Sequence, residues 1–237
     1  MSVRALRQSM SRTVLVAGVG RTLGTAVAEA LADRGDRVVL VARSRDVIEP
    51  LAADLRDDGA RAVAVRGDLT DPDAVEETVA AGRDAFGAFD GVVHAANVPG
   101  GGRFADCDLD DFDRVWETRA RAAFLLAKAT ADDLREDGPG DGGRLVVAGT
   151  NYATDPAGSA TAWDSAAAAT RGLARSLAAD PAAPAATYAE IDTALAPSGA
   201  DPGLVRTAAE EVASDLVDVL GADAPTEVRL PRQTAEA

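Results

Sequence analysis

Residues 13-TVLVAGVGRTLG-24 place three glycines directly between an apolar run and a helical pattern. Thr13–Ala17 is the apolar run and predicts a buried strand, whereas Leu23–Arg34 has helical spacing and ends before Gly35. Glycines at such a junction let the backbone approach a pyrophosphate, which binds the N–H groups at the start of the helix. Tight turns also use glycine, so it is the position after the first strand that favours a dinucleotide-binding turn.

Strand-like and helix-like stretches alternate along the rest of the chain, which is typical of a parallel sheet with helices on both faces. We therefore expect the α/β class, with one Rossmann-like, doubly wound parallel sheet of about seven strands. One domain is expected over residues 1–237, of which 1–12 form an N-terminal extension. The predicted strands are Thr13–Ala17, Val38–Ala42, Ala62–Val65, Gly91–Ala95, Arg144–Ala148, Ala186–Ile191 and Glu227–Leu230. The predicted helices are Leu23–Arg34, Asp46–Asp58, Pro72–Phe86, Leu109–Glu136, Thr161–Ala179 and Leu204–Leu220, with turn residues at 138–143 and 197–203 predicting surface loops.

The acidic composition argues against several classes of partner. With 39 Asp and Glu against 24 Lys and Arg, the net charge is −15, which disfavours nucleic acid and anionic membranes. No apolar span approaches the length of a membrane helix, and residues 1–12 lack the apolar stretch of a signal peptide, so we expect a cytoplasmic protein. The single cysteine, Cys107, excludes an internal disulfide. Together with the single histidine, His94, it gives no zinc or iron ligand set, so no metal is expected.

The source of this acidity has two interpretations. Lysine occurs once, at Lys128, and arginine supplies the rest of the positive charge. An acidic, lysine-poor chain suits a salt-rich cytoplasm, where charge is screened and surface carboxylates stay hydrated. The alternative is an arginine and alanine bias from a GC-rich genome. Both interpretations remain open at the level of sequence.

Two arginines near the glycine turn indicate a phosphorylated cofactor. Arg43 lies at the end of the second predicted strand, about 20 residues beyond the turn, where an acidic residue would bind a ribose hydroxyl. An arginine there instead offers a charged fork for a 2′-phosphate, and Arg21 inside the turn could reach the same group. The pattern predicts NADP(H) rather than NAD(H). The alternative is that both are solvated surface arginines.

The order of these motifs resembles the short-chain dehydrogenases/reductases over about residues 12–180. The glycine turn of that family reads TGxxxGxG, and 17-AGVGRTLG-24 keeps its first and last glycines. Asp68 in 67-GDLT-70 matches the family's aspartate near the adenine, and 94-HAAN-97 partly matches its Asn-Asn-Ala-Gly motif. The resemblance implies a cofactor site formed by Gly18, Gly20, Arg21, Thr22, Leu23, Gly24, Arg43, Ser44, Asp68, Leu69, Ala96 and Asn97.

The same resemblance implies a reaction centre that this chain does not carry in full. In the family a tyrosine donates a proton, and a lysine four residues later lowers its pKa from about 10. A serine positions the substrate oxygen, and an asparagine supports a water relay. Alignment from 143-GRLVVAGT-150 gives Thr150 for the serine, Trp163 for the tyrosine, Ala167 for the lysine and Arg119 for the asparagine. An indole N–H donates hydrogen bonds but cannot release a proton near neutral pH, and Ala167 offers no amine.

The two tyrosines of the chain do not restore the missing pair. The residues four positions after Tyr152 and Tyr188 are Pro156 and Asp192. Tyr152, two residues past Thr150, could line the pocket and act as a substitute acid, although such a residue more often only packs. Thr150 itself keeps a hydroxyl.

Further departures from the family lie around the same pocket. The family's Pro-Gly after the sixth strand aligns with Thr193-Ala194, and the short stretch 192–203 indicates a trimmed substrate lid. His94 is expected at a strand end near the ribose rather than as a proton carrier. Phe112 and Trp116, at helical spacing, are expected in the core.

Assembly is also implied by the resemblance, because the family commonly forms homodimers or homotetramers through its long helix and its tyrosine-bearing helix. The alanines at 166–169 would permit close approach of two helices, and they would equally suit packing on the sheet.

Three functions follow from this comparison of residues with the family. The first is an NADP(H)-binding protein of the family type without ordinary carbonyl reduction, acting through cofactor sensing or a partner. The second is an active NADP-dependent oxidoreductase in which water, Tyr152 or an unknown small-molecule substrate supplies the proton. The third is a structural or partner subunit without cofactor, which Thr22 and Asn97 in place of glycines leave open.

Overall fold

A computed structural model describes residues 11–98, 100–135, 142–156, 158–195, 207–221 and 223–231, and these residues form a seven-stranded parallel sheet between two layers of helices. Residues 1–10 of the expected extension lie outside the described residues, as do most of the two expected loops at 138–143 and 197–203. The strands are β1 Thr13–Ala17, β2 Arg37–Ala42, β3 Arg61–Arg66, β4 Gly91–His94, β5 Arg144–Thr150, β6 Ala185–Ile191 and β7 Glu227–Leu230. The predicted class and the seven strands are therefore confirmed.

The order of the strands is β3-β2-β1-β4-β5-β6-β7, and every pair is parallel. The order reverses between β1 and β4, where the chain leaves the two strands toward opposite faces. A crevice opens at such a switch point, outside the carboxyl ends of the strands, and ligands of doubly wound sheets bind there.

Helices cover both faces of the sheet. Thr13 to Ala17 are all buried, as expected for a central parallel strand enclosed on both sides. Alternate residues of the strands point into two separate apolar cores, Val14 and Val16 into one, Leu15 and Ala17 into the other. The helices are α1 Leu23–Asp33, α2 Arg45–Asp57, α3 Pro72–Phe86, α4 Leu109–Trp116, α5 Ala122–Ala129, α6 Ala131–Leu134, α7 Thr161–Ala179 and α8 Ala209–Asp218. The first core packs on α1, α2 and α8, and the second on α3, α5 and α7.

Local chemistry explains where several helices begin. Ser44, Asp71 and Asp108 each accept a hydrogen bond from a backbone N–H of the first turn of α2, α3 and α4. Pro72 opens α3, where its missing N–H costs nothing.

The expected continuous helix from Leu109 to Glu136 is wrong in two respects. It is divided by a π turn at Glu117–Arg121 between α4 and α5, and Thr130 leaves helical geometry between α5 and α6. Residue 136 lies outside the described residues. A π turn adds one residue to the helical circuit and redirects the side chains around it, which a smooth 3.6-residue pattern does not reveal.

The expected start of the last helix at Leu204 also needs correction. Residues 204–206 lie outside the described part, and Thr207 is not helical but forms a bridge with Leu195, its N–H donating to the Ala194 carbonyl at 2.9 Å. The helix α8 begins at Ala209. Other boundaries move by one or a few residues; β5 in particular extends beyond the expected Ala148 to Thr150.

Within the described ranges, no helix is long and apolar enough to cross a membrane. The same residues contain no cluster of three or more His, Cys, Asp or Glu side chains arranged to hold a metal ion.

Candidate cofactor and reaction site

The glycine turn after β1 is held between two neighbouring strands. The N–H groups of Gly18 and Val19 both donate to the Val41 carbonyl of β2, at 2.9 and 3.0 Å. Gly18 has φ +90°, and a Cβ built there would lie 2.2 Å from Cα of Ala96, which follows β4. Only glycine fits this backbone conformation and this close approach. The turn and the segment after β4 therefore form one continuous floor of the switch-point crevice.

The start of α1 follows the turn directly. Thr25 donates its N–H and its hydroxyl to the Gly20 carbonyl, at 3.1 and 2.8 Å, which fixes the turn against the first helical residues. Thr22 at the N-cap makes no side-chain capping bond, and Leu23 begins the helix. Gly24 packs so closely that a Cβ there would lie 2.7 Å from Cα of Val19. A helix N-terminus without a protein cap is the arrangement that binds phosphate oxygens in dinucleotide folds.

Two cationic side chains flank this helix start. Arg21 and Arg43 are exposed, and neither guanidinium makes an ion pair within the described residues. The Arg43 carbonyl accepts from Nε of Arg66 at 3.1 Å, which ties the end of β2 to the end of β3. The Ser44 hydroxyl caps α2 by accepting from the Asp46 N–H at 3.3 Å. Both arginines are thus free to meet an anion at the edge of the crevice.

Asp68, after β3, is held in the ionised form. Its Oδ1 accepts from the N–H of Thr70 at 3.0 Å and from the Thr70 hydroxyl at 2.8 Å. The Thr70 backbone hydrogen bond is the largest cause that lowers the Asp68 pKa, and the charge of Arg43 contributes in the same direction. Leu69 beside it is buried in the second core. This carboxylate is a preorganised hydrogen-bond acceptor just beyond the carboxyl end of β3.

Arg119 lies in the π turn and is buried, with 4% of its surface exposed. Its Nη1 donates to Oδ1 of Asn97 at 2.9 Å, and its guanidinium carbon lies 4.2 Å from the ring centre of Trp163. Its Nε is buried without a hydrogen-bond partner. Burial lowers the pKa of Arg119 to about 10, so the side chain remains a cation at neutral pH. A positive charge therefore occupies the inner part of the crevice.

Trp163 and Ala167 lie on α7 and face this charge from the other side. The Trp163 indole N–H donates to the Val98 carbonyl at 2.9 Å, so it is already used within the chain. Ala167 is fully buried. The half-buried Trp163 ring thus serves as a platform for the Arg119 guanidinium, and no side chain at these two positions offers a proton.

Thr150, the last residue of β5, is fixed by Tyr188 of β6. The Tyr188 hydroxyl accepts from the Thr150 N–H at 2.9 Å and donates to the Thr150 carbonyl at 2.8 Å. Gly149 makes room for the phenol, since a Cβ there would lie 2.1 Å from the Tyr188 ring. The Thr150 Oγ1 is buried without a partner. Burial, as the largest cause, raises the Tyr188 pKa to about 12, so this phenol is a poor acid at neutral pH.

His94 ends β4 beneath the crevice and is 1% exposed. Burial, as the largest cause, and the nearby Arg119 charge lower its pKa to about 4. Neither ring nitrogen has a partner with hydrogen-bonding geometry. The imidazole is therefore neutral at physiological pH, and it lies at the strand end, as the sequence predicted.

Tyr152 lies in a short 3₁₀ turn, Asn151–Ala153, immediately after β5. The residue is half-buried, and its hydroxyl has no hydrogen-bond partner among the described residues. Beyond β6, the Thr193 hydroxyl pairs with that of Thr207 at 2.9 Å, which closes the base of the segment where the family carries its lid. Residues 196–206 of that segment lie outside the described residues.

The helical spacing of Phe112 and Trp116 predicted residues of the core. They are instead half-buried and pack against a small separate cluster. Their rings stack at 5.9 Å, and the Trp116 indole N–H donates to Oγ of Ser165 at 2.9 Å. This cluster joins α4 to α7 beside the π turn. Of the alanines at 166–169, Ala166 and Ala167 are buried within the chain, whereas Ala168 is exposed.

The structure brings most of the predicted positions to one edge of the sheet, the carboxyl ends of β1 to β5. Sequence reasoning missed the burial of Arg119, the engagement of the Trp163 indole, and the role of Tyr188 as the support of Thr150. Gly149, directly before Thr150, was a signal that a bulky side chain such as Tyr188 packs against this strand. The burial of Arg119 had no such signal, because a lone arginine in a helical pattern resembles a surface residue.

Comparison with known proteins gives one consistent family. The family model described as short chain dehydrogenase matches residues 12–211. A versicolorin reductase from Emericella nidulans is 34% identical over 144 residues, which cover 60% of this chain and 53% of that protein. The 1-deoxy-11-beta-hydroxypentalenate dehydrogenase of Streptomyces arenae is 31% identical over 231 residues, covering 91% of this chain and 81% of that protein. The matches with the versicolorin reductases span only about half of those proteins' length.

Solved structures share the fold at lower identity. An alcohol dehydrogenase from Thermococcus sibiricus, complexed with 5-hydroxy-NADP, superposes with a TM-score of 0.83 at 23% identity, over 96% of this chain and 100% of that one. An NAD⁺-bound xylitol dehydrogenase superposes with a TM-score of 0.80 at 22% identity, over 92% of this chain and 97% of that one. The doubly wound architecture is thus shared with nucleotide-bound enzymes of both cofactor types.

Proposed function

Because this chain belongs to the short-chain dehydrogenase family, we propose that it binds a nicotinamide dinucleotide, NADP(H) in preference to NAD(H), and carries out little or no ordinary carbonyl reduction. The proposed lack of ordinary carbonyl reduction is supported most strongly by two residues of α7. Trp163 stands where the family tyrosine is expected, and its only N–H donates to Val98. Ala167, at the lysine position, is buried and carries no amine.

The cofactor part of the proposal rests on the crevice at the switch point. The glycine turn, the uncapped start of α1 and the ionised Asp68 are arranged as a cradle for pyrophosphate and adenosine. Among structural relatives, one carries an NADP derivative and another NAD⁺, so the relatives leave the choice between the two open. Exposed Arg21 and Arg43, without ion-pair partners in the described part of the chain, favour a 2′-phosphate.

The loss of the proton source has a predictable consequence for the rate. A positioned acid typically contributes on the order of 10²–10⁴ in rate, so its removal leaves hydride transfer to a carbonyl slow. Tyr188 is not a replacement, because both hydrogen-bonding positions of its hydroxyl are used on Thr150 and its pKa is raised to about 12. Thr150 can still orient an oxygen, but its hydroxyl is far too weak an acid to protonate one.

A second candidate function is an active oxidoreductase with a different proton source, and Tyr152 favours it. This tyrosine follows Thr150 by two residues, is half-buried, and has a hydroxyl without a partner in the described ranges. A third candidate, a structural subunit without cofactor, predicts that no nucleotide binds at all. The three candidates therefore differ in two measurable quantities, nucleotide affinity and turnover.

Calorimetric titration with NADPH and NADH tests the cofactor preference. Wild type should bind NADPH at least tenfold more tightly than NADH, because charge-assisted hydrogen bonds to a 2′-phosphate are worth about 1.5–3 kcal/mol each. Arg43→Leu should remove most of that preference and leave NADH affinity unchanged. Arg45→Leu, two residues away with its guanidinium paired to Glu49, is the matched control and should keep the preference. Equal affinity of wild type for both cofactors would refute the NADP(H) assignment.

The same proposal takes residues 1–237 as one cofactor-binding domain that assembles as a homodimer or homotetramer. The seven strands of a single sheet support the first part. For the second part, Phe124 of α5 and Ala168 of α7 are exposed on the two helices that pair between subunits elsewhere in the family. Light scattering of the purified protein measures the assembly directly, and a monomeric mass would contradict it.

A further inference from the structure

Arg119 is a buried cation without a counter-charge. Within the described residues no carboxylate lies within ion-pair distance of it. A cation–π contact with Trp163 compensates part of the lost hydration. The desolvation penalty of an isolated buried charge is larger than such a contact returns, which is why buried charges are paired in native proteins. The lack of a counter-charge for Arg119 among the described residues therefore requires an explanation.

Other polar atoms at the carboxyl ends of the neighbouring strands β4 and β5, close in the fold to Asn97 and its partner Arg119, are also unsatisfied. The Nε of Arg119, the Oγ1 of Thr150 and both ring nitrogens of His94 are buried and make no hydrogen bond. Buried polar groups without partners are rare, and a group of them marks a place where a ligand or ordered water completes the bonding. Tyr188 holds Thr150 in place, since its hydroxyl accepts from the Thr150 N–H and donates to the Thr150 carbonyl.

The side chains of His94 and Asn97, which lie near the Arg119 guanidinium, carry no negative charge. His94 is neutral, because burial and the Arg119 charge disfavour its protonated form. Asn97 is neutral and uses its carbonyl oxygen on Nη1 of Arg119. The Nε side of the guanidinium fork is left for a further acceptor, and a planar pair of oxygens matches a guanidinium fork best.

We propose that Arg119 and Thr150 form a binding site for a carboxylate carried by a small-molecule ligand, at the end of the crevice opposite the cofactor phosphates. This inference rests on the proposed function, because it assigns the substrate or effector class of the same crevice. The carboxylate accepts from the free edge of the Arg119 guanidinium and from the Thr150 hydroxyl. The phosphate-binding groups Arg21 and Arg43 lie at the glycine turn, so the two anion sites have separate residues.

Benzoate and its neutral isostere benzamide are suitable probes, because they differ in charge and hardly in shape. Each is titrated calorimetrically into the full chain with saturating NADPH. We expect benzoate to bind at least tenfold more tightly than benzamide, and Arg119→Gln to abolish that difference. Arg121→Gln is the matched control, since Arg121 lies in the same π turn but is exposed and donates to the Thr70 carbonyl. This control should retain the preference for benzoate.

Thermal unfolding of the same variants separates a ligand role from a structural one. If Arg119 awaits an anion, Arg119→Gln removes an unpaired buried charge, so its unfolding temperature stays equal to or above that of wild type and no longer rises with benzoate. A large fall in unfolding temperature, with benzoate and benzamide binding equally to wild type, would overturn the inference and make Arg119 a purely structural partner of Trp163.

NADPH affinity, measured in the same series, keeps the two proposals apart. Normal NADPH binding without discrimination between benzoate and benzamide refutes the carboxylate site and leaves the proposed function intact. Absence of NADPH binding refutes the proposed function, and the benzoate titration of the nucleotide-free chain then decides the carboxylate site by itself.

Discussion

Arg119 and Trp163 stand at the positions that the resemblance assigns to two of the family's proton-transfer groups. The guanidinium lies over the indole at 4.2 Å, and the indole N–H is bound to the Val98 carbonyl. If the proposed alignment holds, the cation and its aromatic platform were exchanged for the family's groups together, since the two side chains contact each other. Restoring only the tyrosine and lysine of the family would therefore bring them into conflict with the Arg119 guanidinium.

A reconstruction of the proton source tests this interdependence. Trp163→Tyr with Ala167→Lys should remain inactive in NADPH-dependent carbonyl reduction, because the new amine and the Arg119 guanidinium would place two cations in one buried site. Adding Arg119→Asn removes the conflict and should raise turnover at least tenfold above the double variant. Initial rates of NADPH oxidation on a panel of ketones and aldehydes measure it. Equal turnover of the double and triple variants would show that Arg119 does not obstruct the site.

His94 gives the protein a specific acid sensitivity. Its pKa is about 4 in the folded chain and about 6.5 when unfolded, so the unfolded state binds more protons between these values. The stability from the neutral imidazole is complete above pH 6.5 and is lost as the pH falls toward 4, by about 3 kcal/mol at most. Urea unfolding at pH 7 and pH 5 should show a smaller loss for His94→Asn than for wild type. The same loss in both proteins would contradict the assignment.

Some residue roles could be predicted from the sequence and others could not, for a physical reason. Residues whose role follows from local backbone geometry, such as Gly18 with φ +90° after a buried strand, could be predicted from the sequence. The burial of Arg119 could not, because it depends on contacts with Asn97 and Trp163, 22 and 44 positions away in the chain (119 − 97 and 163 − 119). Long-range contacts of this kind leave no periodic signal.

At the scale of elements, the sheet was predictable and the helix above the crevice was not. Runs of valine, leucine and alanine buried on both faces read as parallel strands, and the structure confirms all seven. The long helical stretch after residue 109 gave no sign of its π turn, because 117-ETRAR-121 contains neither the glycine nor the proline that usually marks an irregular helix. Arg119 lies in that turn and binds Asn97, so this irregular element sets the contacts of the buried cation.

The glycine turn makes a sharp prediction at this scale. Gly18→Ala forces a Cβ to within 2.2 Å of Ala96 at φ +90°, which should lower the free energy of unfolding by about 2–4 kcal/mol. Gly20→Ala is the matched control, because a Cβ there meets no atom within 4 Å, and its free energy of unfolding should stay within about 0.5 kcal/mol of wild type. Denaturant titrations of both variants provide the measurement. Similar stability of the two variants would mean that the close approach of the turn to β4 is not as described.

For the whole molecule, the dominant physical quantity is the net charge of −15. The ion pairs at the surface, such as Arg34 with Asp218, are exposed and contribute little each, so the excess of carboxylates repels itself with little compensation. Folding concentrates this charge in a smaller volume, and salt screens the repulsion.

Salt dependence therefore distinguishes the two origins of the acidity. If the composition is an adaptation to a salt-rich cytoplasm, the thermal unfolding midpoint should rise continuously from low to molar KCl. Under the alternative, a GC-rich genome, the midpoint levels off once the Debye length falls below the spacing of surface charges. Scanning calorimetry across a KCl series reads out the difference, and a midpoint independent of salt would remove the halophilic interpretation.

The central claim joins a working cofactor cradle to an absent proton source, and the fluorescence of NADPH reports on both at once. NADPH mixed with excess protein and a panel of ketones and aldehydes is followed over time. We expect the fluorescence to rise on binding and then to stay constant. Loss of the signal through turnover that survives Trp163→Phe and disappears in Tyr152→Phe would contradict it, and so would the absence of any enhancement.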